Sequence, residues 1–412
     1  MTRHDFEIMA PVGSRESLTA ALKAGTDAVY FGIEGLNMRS RSSANFTADD
    51  MAEIAELCRA RNVRTYLTVN TVIYDGDMDH LDSILNRAKE AGISAIIASD
   101  IAAIEHARNI GLEVHISTQC NISNYEAVKF YARYADVMVL ARELNLDQVK
   151  EIHDRIARDN LCGPKGELIR LEMFCHGALC MAFSGKCYLS LHQMNSSANR
   201  GACNQICRRG YVATDRETGD AIEVDNQYLM SPKDLKTIHF LNKMVDAGVS
   251  VFKIEGRARG PEYVANTVKC YSEALEAICN GSFSEEKILE WEGELAKVFN
   301  RGFWDGYYLG QRLGEWSSKY GSSATRKKVY LAKAIRYFSK LGVGEFKMES
   351  GSLRPGDEVV VCGPTTGAEI FTIDQLRLDV DPVAEVKKGQ VFSTAVPCKI
   401  RPSDRLYLWK KI

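Results

Sequence analysis

Residues 6–32 read FEIMAPVGSRESLTAALKAGTDAVYFG. One apolar run, FEIMA, opens at Phe6; a second, DAVYFG, opens at Asp27; a helical stretch closed by Gly25 lies between them. Neither run alternates apolar with polar residues, as expected of parallel strands buried on both faces. The segment is therefore one β–α–β unit. Working outward, six more runs repeat it: RTYLTVN from Arg64, SAIIASD from Ser94, EVHISTQ from Glu113, DVMVLARE from Asp136, IRLEMFCHG from Ile169 and SVFKIEGR from Ser250. Gly92, Gly111 and Gly248, like Gly25, each stand where a C-capping glycine would close a helix ahead of a strand. Thr47 with Asp50 makes an acidic relative of the capping box, opening a helix expected to run to about Arg61. Eight comparable units predict a (β/α)8 barrel. The alternative is an open doubly wound sheet, but no glycine-rich dinucleotide fingerprint follows the first strand.

The seventh unit is interrupted. Between Gly177 and Lys243 stand several cysteines and then a hairpin centred on Arg216-Glu217-Thr218-Gly219-Asp220. The expected fold class is thus α/β: a TIM-like barrel over residues 1–315 with a cysteine-rich insertion near 178–243. The stretch WSSKYGSSATRKK, residues 316–328, is Ser/Gly-rich and then basic, and reads as a linker. Beyond it, residues 329–412 break into short alternating strands: VYLAKAIRYF, VGEFKMES, DEVVVCG, AEIFTID, GQVFSTAV and DRLYLW. They predict a small antiparallel β-barrel. Within it, GEFKMESGSLRPGDEVVVCG resembles the second-domain barrel of translation factors.

A chain of 412 residues, 45% of them hydrophobic, can bury a large core in two or three domains. Its formal net charge of -2 argues against a general nucleic-acid coat protein but leaves room for a local basic groove. The opening MTRHDFEIMAPVG lacks the apolar core of a signal peptide, and no run approaches the roughly 20 apolar residues of a membrane span. A cytoplasmic protein with no membrane partner is expected. Structural disulfides are rare there, and 12 Cys are too few for a disulfide scaffold in any case.

Four of those cysteines cluster. Cys180, Cys187, Cys203 and Cys207 are separated by six, fifteen and three residues, among Gly, Ser and Asn rather than apolar periodicity. That is a thiolate ligand set for a metal or an iron–sulfur cluster. Structural zinc favours two tight pairs; only Cys203 and Cys207 make one, so the uneven spacing suits a 4Fe–4S cluster better. Cys175 and Cys162 are spare candidates. Cys58, Cys270, Cys279, Cys362 and Cys398 read as small buried residues.

Polar residues at the ends of buried strands are costly unless used or paired, and a barrel gathers those ends at its catalytic face. They are Asn70, Asp100, Gln119, Arg142, Glu143, Glu172, His176, Lys253, Glu255 and Arg257. Several cations at one mouth suit an anionic substrate. Arg142, Lys253 and Arg257 are expected to bind a small dicarboxylate, with Asn70, Gln119 and Glu255 beside them and Glu143 or His176 handling protons. Rim ion pairs and a satisfied core histidine are the structural alternatives. Arg39 and Arg41, in the loop after the second strand, either hold phosphate or carboxylate or are solvated. Arg200, Arg208 and Arg209 in the cysteine loop suit an RNA backbone. No HExxH and no GxSxG occurs, so neither that zinc protease nor a hydrolase elbow is supported.

EMFCHGALC from Glu172, then GKCYLS from Gly185, resembles the signature of the collagenase-like unassigned peptidases, family thirty-two. APVGSRESLTAALKAGTDAVYFG, YLMSPKDL and FKIEGRARGPEYV are similar to other blocks of that family. The resemblance spans nearly the whole chain. It implies a 4Fe–4S cluster on Cys180, Cys187, Cys203 and Cys207 and oxygen-independent hydroxylation. One branch acts on the wobble uridine of tRNA with prephenate as the implied hydroxyl source, a second on a cytidine of ribosomal RNA, a third on quinone precursors. Lys236 stands where the quinone branch places a cysteine in some members, which favours RNA. A compact chain with an arginine-rich mouth favours tRNA. A collagenase-like peptidase, a ribosomal RNA hydroxylase and a non-catalytic RNA-binding subunit with a structural cluster remain the alternatives.

Overall fold

A computed structural model of the chain describes residues 1–40, 46–224, 230–318 and 321–412. Eight parallel strands form the barrel: β1 (Glu7–Pro11), β2 (Ala28–Phe31), β3 (Arg64–Val69), β4 (Ala95–Ala98), β5 (Glu113–Ile116), β6 (Val137–Val139), β7 (Arg170–Gly177) and β8 (Val249–Ile254). β8 pairs in parallel with both β7 and β1, which closes the sheet. The helices α1 (Arg15–Lys23), α2 (Asp50–Arg59), α3 (Met78–Ala91), α4 (Ile101–Asn109), α5 (Tyr125–Tyr131), α6 (Leu146–Arg158), α7 (Leu241–Asp246) and α8 (Pro261–Cys279) each follow a strand. The expected TIM-like barrel is the observed one.

Local chemistry explains the boundaries. The Ser14 hydroxyl accepts the Ser17 N–H and starts α1. Asn145 and Gln148 exchange backbone bonds in a capping box that starts α6, whose Leu146, Val149, Ile152 and Ile156 face the strands. The Asp50 carboxylate accepts both the N–H and the hydroxyl of Thr47 ahead of α2. That helix stops at Arg59 rather than Arg61, because Asn62 turns left-handed (φ 56°) and the Val63 N–H returns to the Cys58 carbonyl.

Most apolar burial lies between strands and helices. The barrel interior is a smaller cluster that includes Met9, Tyr30, Tyr66, Ile97, Val137 and Val251. Glu7, His115, Glu172 and Lys253 are buried among these rings, an unusually polar filling for a barrel.

The insertion leaves β7 at Gly177 and returns through Asp234–Lys236, which pairs antiparallel with the end of β7. Its hairpin, Tyr211–Thr214 with Ala221–Val224, turns over the residues expected. Gly201 (φ 77°) lets its backbone press on the β2–α2 loop, where an added Cβ would lie 2.3 Å from the Asn37 carbonyl oxygen.

Residues 326–412 form an eight-stranded antiparallel sheet and a two-stranded companion around their own core. Its first strand, β9, is Arg326–Phe338, so Arg326, Lys327 and Lys328 belong to the sheet and not to the expected 316–328 linker. Arg326 opposes Lys411 in register and pairs with Glu358 at 2.6 Å. The sheet is seated on the barrel: Lys328 pairs with Glu262 of α8 at 2.7 Å, Lys23 of α1 pairs with Glu369 at 2.7 Å, and Val360, Cys362 and Trp409 join the barrel's outer core. No helix of the described residues is long and apolar enough to cross a membrane.

Candidate functional site: a thiol-lined cavity at the barrel mouth

The C-terminal ends of the barrel strands and the underside of the insertion enclose a cavity of about 180 Å³. Cys180, Cys187, Cys203 and Cys207 all line it, and none is in a disulfide. Burial pushes the Cys207 thiol up, Arg208 pulls it down, and the other three cysteines push it up further, so the four sense one another. Burial opposes the charge on Arg39, yet Glu255, Cys180 and Cys203 hold its pKa above the usual value. Among the described residues no three His, Cys, Asp or Glu side chains converge as they would on a single metal ion. A four-iron cluster offers one iron to each thiolate, so its ligands surround a body rather than a point. Four thiols around one cavity are a donor set of that kind. The spare cysteines do not join them: Cys175 is buried with its thiol donating to the Lys253 carbonyl, and Cys162 pairs with Leu168 beyond the opposite end of the barrel.

Asn70, Gln119, Arg142, Lys253, Glu255 and Arg257 line the same cavity. Glu255 accepts the Tyr30 hydroxyl at 3.1 Å and Arg39 at 3.2 Å. Burial raises its pKa, but the charges of Arg39, Arg257 and Arg142 outweigh that and hold it below the usual carboxylate value. Arg257 donates to Asn37 Oδ1 (3.1 Å) and Thr68 Oγ1 (2.9 Å), and burial pushes its pKa down. The Arg142 guanidinium lies 3.8 Å from the Phe174 ring centroid and donates to the Ala178 carbonyl. Among the described residues, the buried Nε atoms of Arg142 and Arg257 have no hydrogen-bond partner. Asn70 Oδ1 accepts the Met38 N–H, and Gln119 accepts the Ser117 hydroxyl, so both are positioned from behind.

Below the cavity runs a line of titratable groups. Lys253 Nζ stands 2.7 Å from Glu172 Oε1; Glu172 Oε2 stands 3.9 Å from His115 Nδ1; His115 Nε2 stands 3.2 Å from Glu113. Among the described residues, Glu172 Oε2 and His115 Nδ1 have no hydrogen-bond partner. Burial raises the Glu113 pKa, but His115, Arg64 and Lys165 hold it well below the carboxylate range.

Several expected residues are placed elsewhere. His176 does not reach the cavity. On β7, Phe174 pairs with Lys253 and His176 with Ile254, so one step along β8 spans two along β7 and Cys175 is a bulge. The bulge turns His176 out among Tyr263, Tyr271 and Phe303, where it is buried against the Tyr271 hydroxyl. Glu143 is exposed and lines a side lobe that shares Arg142 and Cys180 with the cavity. Asp100 caps α4, accepting the Ala102 and Ile73 N–H groups. Arg200 is tied to Asp77 and the Val72 carbonyl over the Tyr74 ring. Arg208 turns inward, donating to Ser231, Pro232 and Leu179 beside the thiols. Of the three loop arginines expected on RNA, only Arg209 is exposed, with one bond to Met194. Arg41 lies outside the described residues. Tyr30, Asn37 and Thr68, which hold Glu255 and Arg257, were not foreseen, nor were Arg259 and Arg301 on the cavity wall. Arg259 continues the two-residue period of Glu255 and Arg257 and was discoverable; Arg301 follows the eighth unit and carried no signal.

The profile of peptidase family U32 matches residues 13–318. A protein named collagenase from Porphyromonas gingivalis is 64% identical over 100% of this chain and 99% of its own length. The tRNA hydroxylation protein P1 of Bacillus subtilis is 32% identical over 90% of this chain and 86% of its own. A 23S rRNA 5-hydroxycytidine synthase of Escherichia coli is 33% identical over 76% of this chain but only 47% of its own.

Proposed function

This chain belongs to peptidase family U32, and from that premise we propose that it is an oxygen-independent RNA hydroxylase that forms 5-hydroxyuridine at the wobble position of tRNA in the cytoplasm. The observation that carries the reading is the single cavity in which four thiols meet converging cations. Cys180, Cys187, Cys203 and Cys207 would hold a 4Fe–4S cluster, which when bound would supply an electron-transfer capacity that no side chain offers. Arg142 and Arg257, with Lys253, would bind the two carboxylates of prephenate as hydroxyl source. Lys253, backed by Glu172, would hold a proton at the cavity wall. Adding a hydroxyl at C5 of uridine removes two electrons, so the reading also calls for an electron acceptor. A wobble base is already unpaired and cheap to extrude into a barrel mouth.

The relative named collagenase favours a second reading, hydrolysis of a collagen-like chain. A thiol-based route to that chemistry needs a base beside the nucleophile. Among the described residues no histidine lines the cavity or its side lobe.

Nucleoside mass spectrometry of tRNA from a deletion strain decides between them. The expected result is loss of 5-hydroxyuridine, restored by the wild-type gene and not by a Cys207→Ser variant, which should also purify anaerobically with less iron than wild type. Unchanged 5-hydroxyuridine in a strain with no second pathway, together with cleavage of gelatin by the pure protein, would overturn the reading.

A further inference from the structure

Charge is divided unevenly along the chain. Residues 326–412 hold sixteen Lys and Arg against ten Asp and Glu, although the whole chain is at -2. Strand register shows where part of this surplus stands. β9 lies between β10 (Val343–Met348) and β11 (Arg405–Lys411). Lys333 on β9 is directly opposite Lys347 on one side and Arg405 on the other, and Lys327 is directly opposite Lys410. All five side chains are exposed. Among the described residues no carboxylate pairs with Lys327, Lys333, Lys347 or Lys410, whereas neighbouring Arg336 is paired with Glu345 at 2.9 Å.

Like charges directly opposite one another destabilise a sheet. The two such pairs that share Lys333 burden the fold unless an anion sits on them. Neighbouring strands lie about 4.8 Å apart, so Lys347, Lys333 and Arg405 make a narrow row of three across the sheet. The row also continues the cavity face. Helices α1 and α8 start at the rim where β1 and β8 end; Arg405 is near enough to Glu16, in the first turn of α1, for their charges to interact, and Lys328 pairs with Glu262 in the first turn of α8. The rings of Tyr330 and Tyr407, 5.6 Å apart, stand on the same two strands.

We propose that this row, Lys347–Lys333–Arg405, is a docking surface for the phosphate backbone of the RNA substrate, remote from the reacting base; Lys327 and Lys410 stand on the other face of the sheet and are not part of it. The inference rests on the RNA reading above and adds to it where the body of the substrate lies. Charge complementarity selects the partner. Glu345, Glu349 and Glu358 flank the row on the same three-strand region or its neighbour. A flat anionic membrane would meet those carboxylates together with the cations, whereas a single nucleic-acid backbone is narrow enough to follow the row.

The test is binding of total deacylated tRNA to the full chain as salt is raised, for wild type and for Lys333→Gln/Lys347→Gln/Arg405→Gln. Each phosphate contact contributes about 0.7–0.9 to the slope of log affinity against log salt, so the triple variant should lose about 2–3 from that slope and bind more weakly at low salt. Its melting temperature should be unchanged or higher, because opposed like charges have been removed. Lys333→Gln alone, which relieves two of the pairs, should lose about one contact's worth of slope. An unchanged slope in both variants overturns the proposal, as does row-dependent binding to vesicles of anionic phospholipid with row-independent binding to tRNA. If the row fails while the deletion strain still lacks 5-hydroxyuridine, only the docking surface is wrong. If the slope drops as expected while the deletion leaves 5-hydroxyuridine intact, the hydroxylation reading is wrong and the docking surface stands.

Discussion

His176 is the residue on which a structural and a catalytic role make opposite predictions. Burial first, and then the charges of Lys236 and Arg259, push its pKa from the ordinary 6.5 down to about 3. In the unfolded chain the imidazole takes a proton near its ordinary value, whereas in the native state it refuses one until the pH is far lower. Between those limits the unfolded state binds more protons, so stability is fully present above pH 6.5 and falls as pH drops toward 3. Each unit is worth about 1.4 kcal/mol, so His176 alone should remove about 2–3 kcal/mol between pH 6.5 and a point two units lower. Carboxylates titrate in the same window, so the effect must be read as a difference. Urea unfolding of wild type and His176→Gln, followed by midpoint with the slope checked for constancy, should show the variant less stable near neutral pH and the gap closing in acid. Parallel pH dependences would refute the linkage. Loss of hydroxyuridine formation in a variant that keeps its iron and its neutral-pH stability would return His176 to the chemistry.

Lys253→Met should cost about 3–5 kcal/mol, because it leaves Glu172 buried without its cation; Lys253→Met with Glu172→Gln should recover much of that, and simple additivity of the two changes would show the pair is not coupled. Arg142→Lys keeps the charge but loses the fork and the stack on Phe174, so calorimetric affinity for prephenate should fall about tenfold or more with iron content unchanged; equal affinity would remove Arg142 from the carboxylate site.

The sequence reveals the barrel because strands buried on both faces leave continuous apolar runs, and eight such runs survive inspection without any contact information. The cysteines are legible for a similar reason, since their spacing matches no core periodicity. What stays hidden is direction. Strict alternation from Glu172 puts Phe174 and His176 on one face; the bulge at Cys175 breaks the alternation, and nothing in MFCHG marks a bulge. Loop arginines conceal their partners in another way: Arg200 finds Asp77 and Arg208 finds Ser231 through chain folding, so their charge could be counted but not assigned. The same limit hid the start of β9, where a basic tripeptide that resembles a linker is held in register by a strand at the far end of the chain.

The electrostatics of the cavity narrow what can occupy it. The carboxylate on its wall and the one beneath it are both matched: Glu255 takes Arg39 and the Tyr30 hydroxyl, and Glu172 takes Lys253. Arg257 is instead held by the neutral oxygens of Asn37 and Thr68, and Arg142 by a carbonyl and the face of Phe174. Among the described residues, these two guanidiniums of the cavity wall have only neutral groups as hydrogen-bond partners. Burial already lowers the pKa of Arg257, the sign of a charge kept at a cost. Arginine does not shed its proton at neutral pH; Glu255 offsets part of the cost, and an anionic ligand would offset more. Two forked cations in the same cavity as the thiols would suit a ligand with two carboxylates, as the proposed hydroxyl source has, and a monocarboxylate would be expected to bind more weakly.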